Sequence, residues 1–189
     1  MADILIAGIS GSLRKDSYNT LLLHAVQKLL PDNVEMEILS VADLPLYNAD
    51  LDVPSAKERP AAAAAFRDGL TRANGILFVS PEYNYSIPGG LKNAIDWASR
   101  GEDSPMIRKP VSVMGATPGM WGTVRMQLAF HAVFQYLNMI PVYKPEILVA
   151  QANKKFTDKG EFTDEVAKEL IKKNLENLKA LILKSAQTL

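Results

Sequence analysis

Five short apolar runs, each followed by a segment of helical spacing, leave this chain few ways to fold. Ile4 to Ile9 is continuously apolar and stops at Ser10-Gly11-Ser12, the pattern of a strand buried on both faces. Leu21, Leu22, Leu23, Ala25, Val26, Leu29 and Leu30 then recur at helical spacing up to Pro31, whose ring and missing N–H stop a helix. Val34 to Val41 alternates apolar and acidic residues, as a strand near a sheet edge does. The Ala61–Ala65 run opens a helix ending near Asn74-Gly75, and Ile76 to Val79 is a third strand. A helix from about Pro88 to Arg100, a strand at 110–115, a helix over roughly 122–138, a fifth strand from Val142 to Val149 and an amphipathic helix at 164–186 complete the series. Alternation of this kind requires an α/β fold with a doubly wound, five-stranded parallel sheet and right-handed crossovers. The expected strand order is 2-1-3-4-5, in a single domain spanning 1–189, since neither a repeat nor a composition break marks a second one.

Charge and cysteine content narrow the function. Lys plus Arg equals Asp plus Glu at 21 each, so no overall field draws the chain to nucleic acid or to an anionic membrane. Any phosphate recognition has to be local. The absence of cysteine excludes disulfides, thiolate metal sites and cysteine nucleophiles, and no metal site is expected. No basic leader precedes a long apolar stretch and no apolar run reaches about 18 residues, which fits a cytoplasmic protein.

In an open parallel sheet the ligand lies beyond the carboxyl ends of the strands, where the order reverses, here between strands one and three. Three loops meet that place. Gly11 to Asn19 runs into a helix N-terminus, where free N–H groups and the helix dipole favour an anion, with Ser12, Arg14, Ser17 and Asn19 as added donors. It is neither a dinucleotide fingerprint nor a Walker loop, and the simpler alternative is that Ser17 only caps a helix while Arg14 is solvated. Pro81 to Gly90 sets two tyrosines and Asn84 beside close glycines, which suits a pyrimidine-like heterocycle or a turn with surface tyrosines. Ala116 to Thr123 again joins small residues to an aromatic, Trp121; Thr117 is equally suited to capping a helix. His24 and His131 fall within helices, as surface or packing residues.

Gly-Ser-Leu-Arg-Lys-x-Ser-x-Asn at 11–19, the long motif at 81–97 and the turn at 115–122 resemble the NADPH-dependent FMN reductase family, above all its quinone and chromate reductase branch. The resemblance implies a flavodoxin-like fold, FMN as cofactor, NADPH or NADH as hydride donor, quinones as acceptors with chromate, other oxidised metals and azo compounds behind them, and a homodimer or homotetramer. It places Ser12, Arg14, Ser17 and Asn19 at the FMN phosphate. Pro81, Glu82, Tyr83, Asn84 and Ser86 border the isoalloxazine, largely through main chain, and Ala116, Thr117, Pro118 and Gly119 line its far side. Tyr83, Tyr85 and Trp121 would receive the substrates, although Trp121 equally suits a subunit interface. No side chain is needed as a catalytic acid, base or nucleophile, because flavin N5 takes the hydride. A flavodoxin-like electron carrier and a flavin-free binding module are the competing readings, and the balanced charge argues against the first.

Overall fold

The computed structural model describes residues 4–187. Its strands and helices alternate as β1 (Ile4–Ser10), α1 (Tyr18–Gln27), β2 (Val34–Ile38), α2 (Ala61–Arg72), β3 (Gly75–Val79), α3 (Gly89–Ser99), β4 (Pro110–Ala116), α4 (Val124–Tyr136), β5 (Ile140–Pro141), β6 (Ile147–Val149) and α5 (Glu165–Ala186). All pairings are parallel, in the order β2-β1-β3-β4-β5, with β6 also paired to β4. The order β2-β1-β3-β4-β5 agrees with the alternation in the sequence.

Each face of the sheet buries its own core. On one, Leu22, Leu23 and Val26 of α1 and Ile171, Leu175, Leu178 and Ile182 of α5 pack against Ile6, Leu77 and Met114. On the other, Phe66 and Leu70 of α2, Leu91 and Ile95 of α3, and Phe130 and Phe134 of α4 cover Ile9, Ile76, Phe78 and Val111. Every residue of β3 is buried, which is why its sequence shows no alternation, whereas at the edge β2 buries Val34 and Met36 and exposes Glu35. Each fully buried aliphatic or Phe side chain contributes about 1.5–3 kcal/mol.

The fifth strand corrects the sequence reading. Of the span Val142 to Val149 only β6 is strand, pairing with the end of β4 from Met114 to Ala116, and the separate β5 just before the span pairs with the start of β4 at Pro110 and Val111. Side chains replace the ladder between them. Asn177 donates to Lys144 O at 2.8 Å, Asn174 to Pro145 O at 2.9 Å and Gln127 to Ile147 O at 2.9 Å. Pro141 and Pro145 have no N–H to offer a neighbour, so the strand cannot be kept as one.

Candidate active site

Gly11 and Gly115 allow the ends of the three central strands to close together. A Cβ on Gly11 would lie 2.2 Å from Ser80 Oγ, and one on Gly115 would lie 1.9 Å from Thr123 Oγ1 and 2.5 Å from Ser80 O. From this floor the three loops rise side by side.

The first loop ends on Ser17, whose hydroxyl caps α1 by accepting from Asn19 N at 3.2 Å. Asn19 is buried, and its side chain spans to β4: Nδ2 donates to Ala116 O at 2.9 Å and Ala116 N donates to Oδ1 at 2.8 Å. The first and third loops are thereby fixed to each other. Ser12 Oγ accepts from Arg14 N at 3.3 Å, and Arg14 Nη2 turns onto Asp16 O. The N–H groups of Leu13, Lys15, Asp16, Ser17, Tyr18 and Thr20 meet no acceptor among the described residues. They are clustered at the positive end of α1, a donor set for an anion. The structure thus gathers all four residues that the sequence singled out, while committing the side chains of Ser17 and Asn19 to holding the loop.

The second loop is a hairpin. Tyr83 and Ser86 exchange both backbone hydrogen bonds, at 3.1 and 2.9 Å, around Asn84 and Tyr85 at φ 50° and 64°. Two successive positive φ values in a two-residue loop are the signature of a type I′ turn, usually filled by Asn-Gly. Tyrosine at the second place is uncommon there and carries strain on the order of 1 kcal/mol. The turn holds Tyr83, Asn84, Tyr85 and Ser86 out in solvent.

Glu82, by contrast, points back into the protein. Its Oε2 accepts from Arg125 N at 2.9 Å and Met126 N at 3.1 Å, the first turn of α4, and its Oε1 lies 3.6 Å from Arg125 Nη1. The residue before α4, Thr123, is in the left-handed region and makes no side-chain cap, and its buried hydroxyl has no partner among the described residues. A carboxylate from the second loop therefore supplies the N-terminal acceptor that α4 lacks.

The third loop is held from behind. Thr117 N donates to Val149 O at 3.0 Å, Ala152 N to Thr117 O at 2.9 Å and Gln151 N to Gly119 O at 2.9 Å, while Thr117 Oγ1 accepts from Gly119 N at 3.2 Å in a local turn rather than capping α4. Pro118 and Gly119 are exposed. Trp121, 67 % exposed, comes close to the second loop through a residue that the sequence reading passed over. The Arg125 guanidinium lies 4.1 Å from the Tyr85 ring centroid and 5.5 Å from that of Trp121. Trp121 lies in the loop before α4 and Arg125 in its first turn, so no helical spacing in the sequence signals their contact.

The rest of the long second motif serves as scaffold. Asn93 accepts from Tyr47 N at 2.8 Å and donates to Pro45 O at 2.9 Å, and Trp97 Nε1 donates to Pro45 O at 2.7 Å. Burial, with Asp52 nearby, raises the Tyr47 phenol above its ordinary pKa. Both histidines are on exposed helix surfaces, away from this site.

The sequence pattern of the NADPH-dependent FMN reductase family matches residues 4–154. An NAD(P)H-dependent FMN reductase of Pseudomonas aeruginosa is 41% identical over 179 residues, 93% of this chain and 94% of that protein. An NADPH:quinone oxidoreductase of Arabidopsis thaliana is 38% identical over 186 residues, 96% of this chain and 93% of its own. Among solved structures, FerB, a flavoenzyme NAD(P)H:(acceptor) oxidoreductase of Paracoccus denitrificans, superposes with a TM-score of 0.85 at 31% identity, covering 96% of this chain and 98% of FerB.

Proposed function

The chain belongs to the NADPH-dependent FMN reductase family, and from that premise we propose that it is an FMN-dependent NAD(P)H:quinone oxidoreductase. The observation that carries the reading is the cluster of main-chain N–H groups between Leu13 and Thr20 at the start of α1. A phosphate monoester fits this donor set in charge and in number of acceptors.

When bound, FMN supplies the hydride-accepting centre and a flat face for donor and acceptor. The protein binds and orients. Ser12, Arg14 and the free N–H groups up to Thr20 hold the phosphate, with Ser17 fixing the helix end. Asn19 acts one step back, keeping the loop against Ala116. The backbone of Pro81 to Ser86 borders one side of the ring and Ala116 to Gly119 the other, and Asn84, exposed at its turn and without a side-chain partner among the described residues, is the side chain for a polar ring edge. Tyr83, Tyr85 and Trp121 line the outer opening, where nicotinamide and then quinone are received in turn; chromate and azo compounds are smaller or poorer occupants of the same place.

The test is steady-state oxidation of NADPH and NADH by the purified yellow protein across quinones. Turnover with parallel double-reciprocal lines is expected, because one opening serves both substrates. Intersecting lines would remove the shared opening, and absence of turnover in a protein that retains FMN would leave an electron carrier. Arg14→Ala should weaken FMN binding by roughly 1–3 kcal/mol, the value of a charge-assisted hydrogen bond, in a fluorescence titration. An unchanged affinity would take Arg14 out of the site.

A further inference from the structure

At the amino ends of β3 and β4, a cleft of about 500 Å³ opens between the last turns of α2 and α5. The length of β4, about 3.3 Å for each residue from Pro110 to Ala116, sets it some 20 Å from the loops of the candidate active site. Its volume is in the range of small-molecule sites. Its apolar walls are Ala73, Ile107, Pro110, Ile140, Leu181 and Ile182. Ile107 remains 46% exposed at the edge.

The charged groups of the cleft are of one sign. Arg108 and Lys109 line it together with Lys184, and no Asp or Glu does so among the described residues, in a chain whose charges balance. Arg108 is held with φ at 60°, its N–H donating to Leu137 O at 3.1 Å, and its guanidinium meets no acceptor among the described residues. Lys109 Nζ donates to Leu70 O at 2.5 Å and Ala73 O at 2.6 Å, closing the C-terminus of α2, and keeps a third N–H. Asn74 accepts from Leu5 N through Oδ1 at 2.8 Å, which leaves its amide N–H groups as further donors. The carbonyls of α2 account for Lys109. They do not account for the apolar walls, beside which the exposed Arg108 brings a second cation to the cleft.

We propose that this cleft is a second ligand site, which takes a small organic anion with an apolar body, of the class of a medium-chain carboxylate. Arg108 and the remaining N–H of Lys109 meet the carboxylate, and the aliphatic walls cover the chain. Burial lowers the Lys109 ammonium to a pKa of about 8, so an anion at this position also relieves a desolvated cation.

The experiment is calorimetric titration of the protein as purified with decanoate and, for comparison, with 1-decanol. Decanoate is expected to bind saturably and decanol at least tenfold more weakly. Arg108→Gln should weaken decanoate tenfold or more, and Leu181→Glu, which sets a carboxylate in the wall at a half-buried helix position, should abolish binding. Both variants should keep the melting temperature within a few degrees, together with flavin content and NAD(P)H oxidation. Absence of saturable binding to the parent protein would overturn the proposal, as would equal affinity for decanol or binding that survives both substitutions. The binding of decanoate and decanol is read without reference to FMN, so its outcome stands whether or not the loops at the other end of the sheet hold the flavin.

Discussion

Glu82 ties the second loop to α4, and the tie predicts how its variants behave. Two N–H groups of the first helical turn share one carboxylate oxygen. Glu82→Ala leaves both without an acceptor next to an uncapped Thr123, and should destabilise the fold by about 1–2 kcal/mol in urea unfolding. Glu82→Gln keeps a carbonyl acceptor and should lose less than half of that; equal losses would show that charge, not capping, is what matters. The sequence motif identified Glu82 but not this contact, because nothing local in a chain specifies which helix end a side chain from another loop will meet. Trp121→Ala tests the opposite end of the same cluster. Lost aromatic contact is worth roughly 0.5–1.5 kcal/mol, so the quinone KM should rise while FMN retention holds. A normal KM would place Trp121 outside the substrate opening.

At the level of elements, the strands and helices were legible wherever burial was uniform. β3 and β4 lie in the middle of the sheet, β3 apolar throughout and β4 apolar but for the buried Ser112, and the edge strand β2 alternates. The fifth strand is misread because Val142 to Val149 is apolar at both ends; Lys144-Pro145-Glu146 between them is the local break, and Asn174, Asn177 and Gln127 from distant helices take up carbonyls along it. The start of α5 could be read from both sides. Asp164 caps it by accepting from Ala167 N at 3.0 Å and pairs with Lys155 Nζ at 2.7 Å, and the Lys155 hydrogen bond is the main reason its carboxyl titrates below the ordinary range. Asp164→Ala should therefore cost about 0.5–2 kcal/mol at neutral pH. A carboxylate whose pKa is depressed by folding stabilises above its unfolded pKa and loses that contribution as pH falls through the folded one. The gap between parent and variant should thus be constant above about pH 5 and shrink below about pH 4, the usual carboxylate pKa. A gap unchanged at pH 3 would mean that the hydrogen bond made by the carboxyl in either protonation state, not its charge, sets the loss.

For the molecule as a whole, the fold bears on the self-association that the resemblance implies. Apolar positions on more than one face of the helix over 88–100 would by themselves suggest burial against a second copy. Leu91, Ala94, Ile95 and Trp97 are instead buried within the chain, with Trp97 covered by Tyr47 at a centroid distance of 5.0 Å and bonded to Pro45. Those positions are satisfied without a partner. On the three loops of the candidate active site Leu13 is 62% exposed, Tyr85 69%, and Met120 and Trp121 67% each, beside single exposed apolar residues elsewhere such as Tyr136 and Val166. Large apolar side chains gathered at one end of the sheet are more than the scattered exposures a monomer ordinarily shows. A homodimer or homotetramer that covers part of this rim is expected, and light scattering at micromolar concentration should give at least twice the 20.7 kDa of one chain. The Trp121→Ala variant separates the two roles open to that residue, because a lost oligomer with unchanged quinone kinetics assigns it to the interface, and an intact oligomer with a raised KM assigns it to the substrate opening. A monomer in the parent protein would mean that the rim is left open to solvent and to substrates alone, with Arg125 between Tyr85 and Trp121 as its one internal brace.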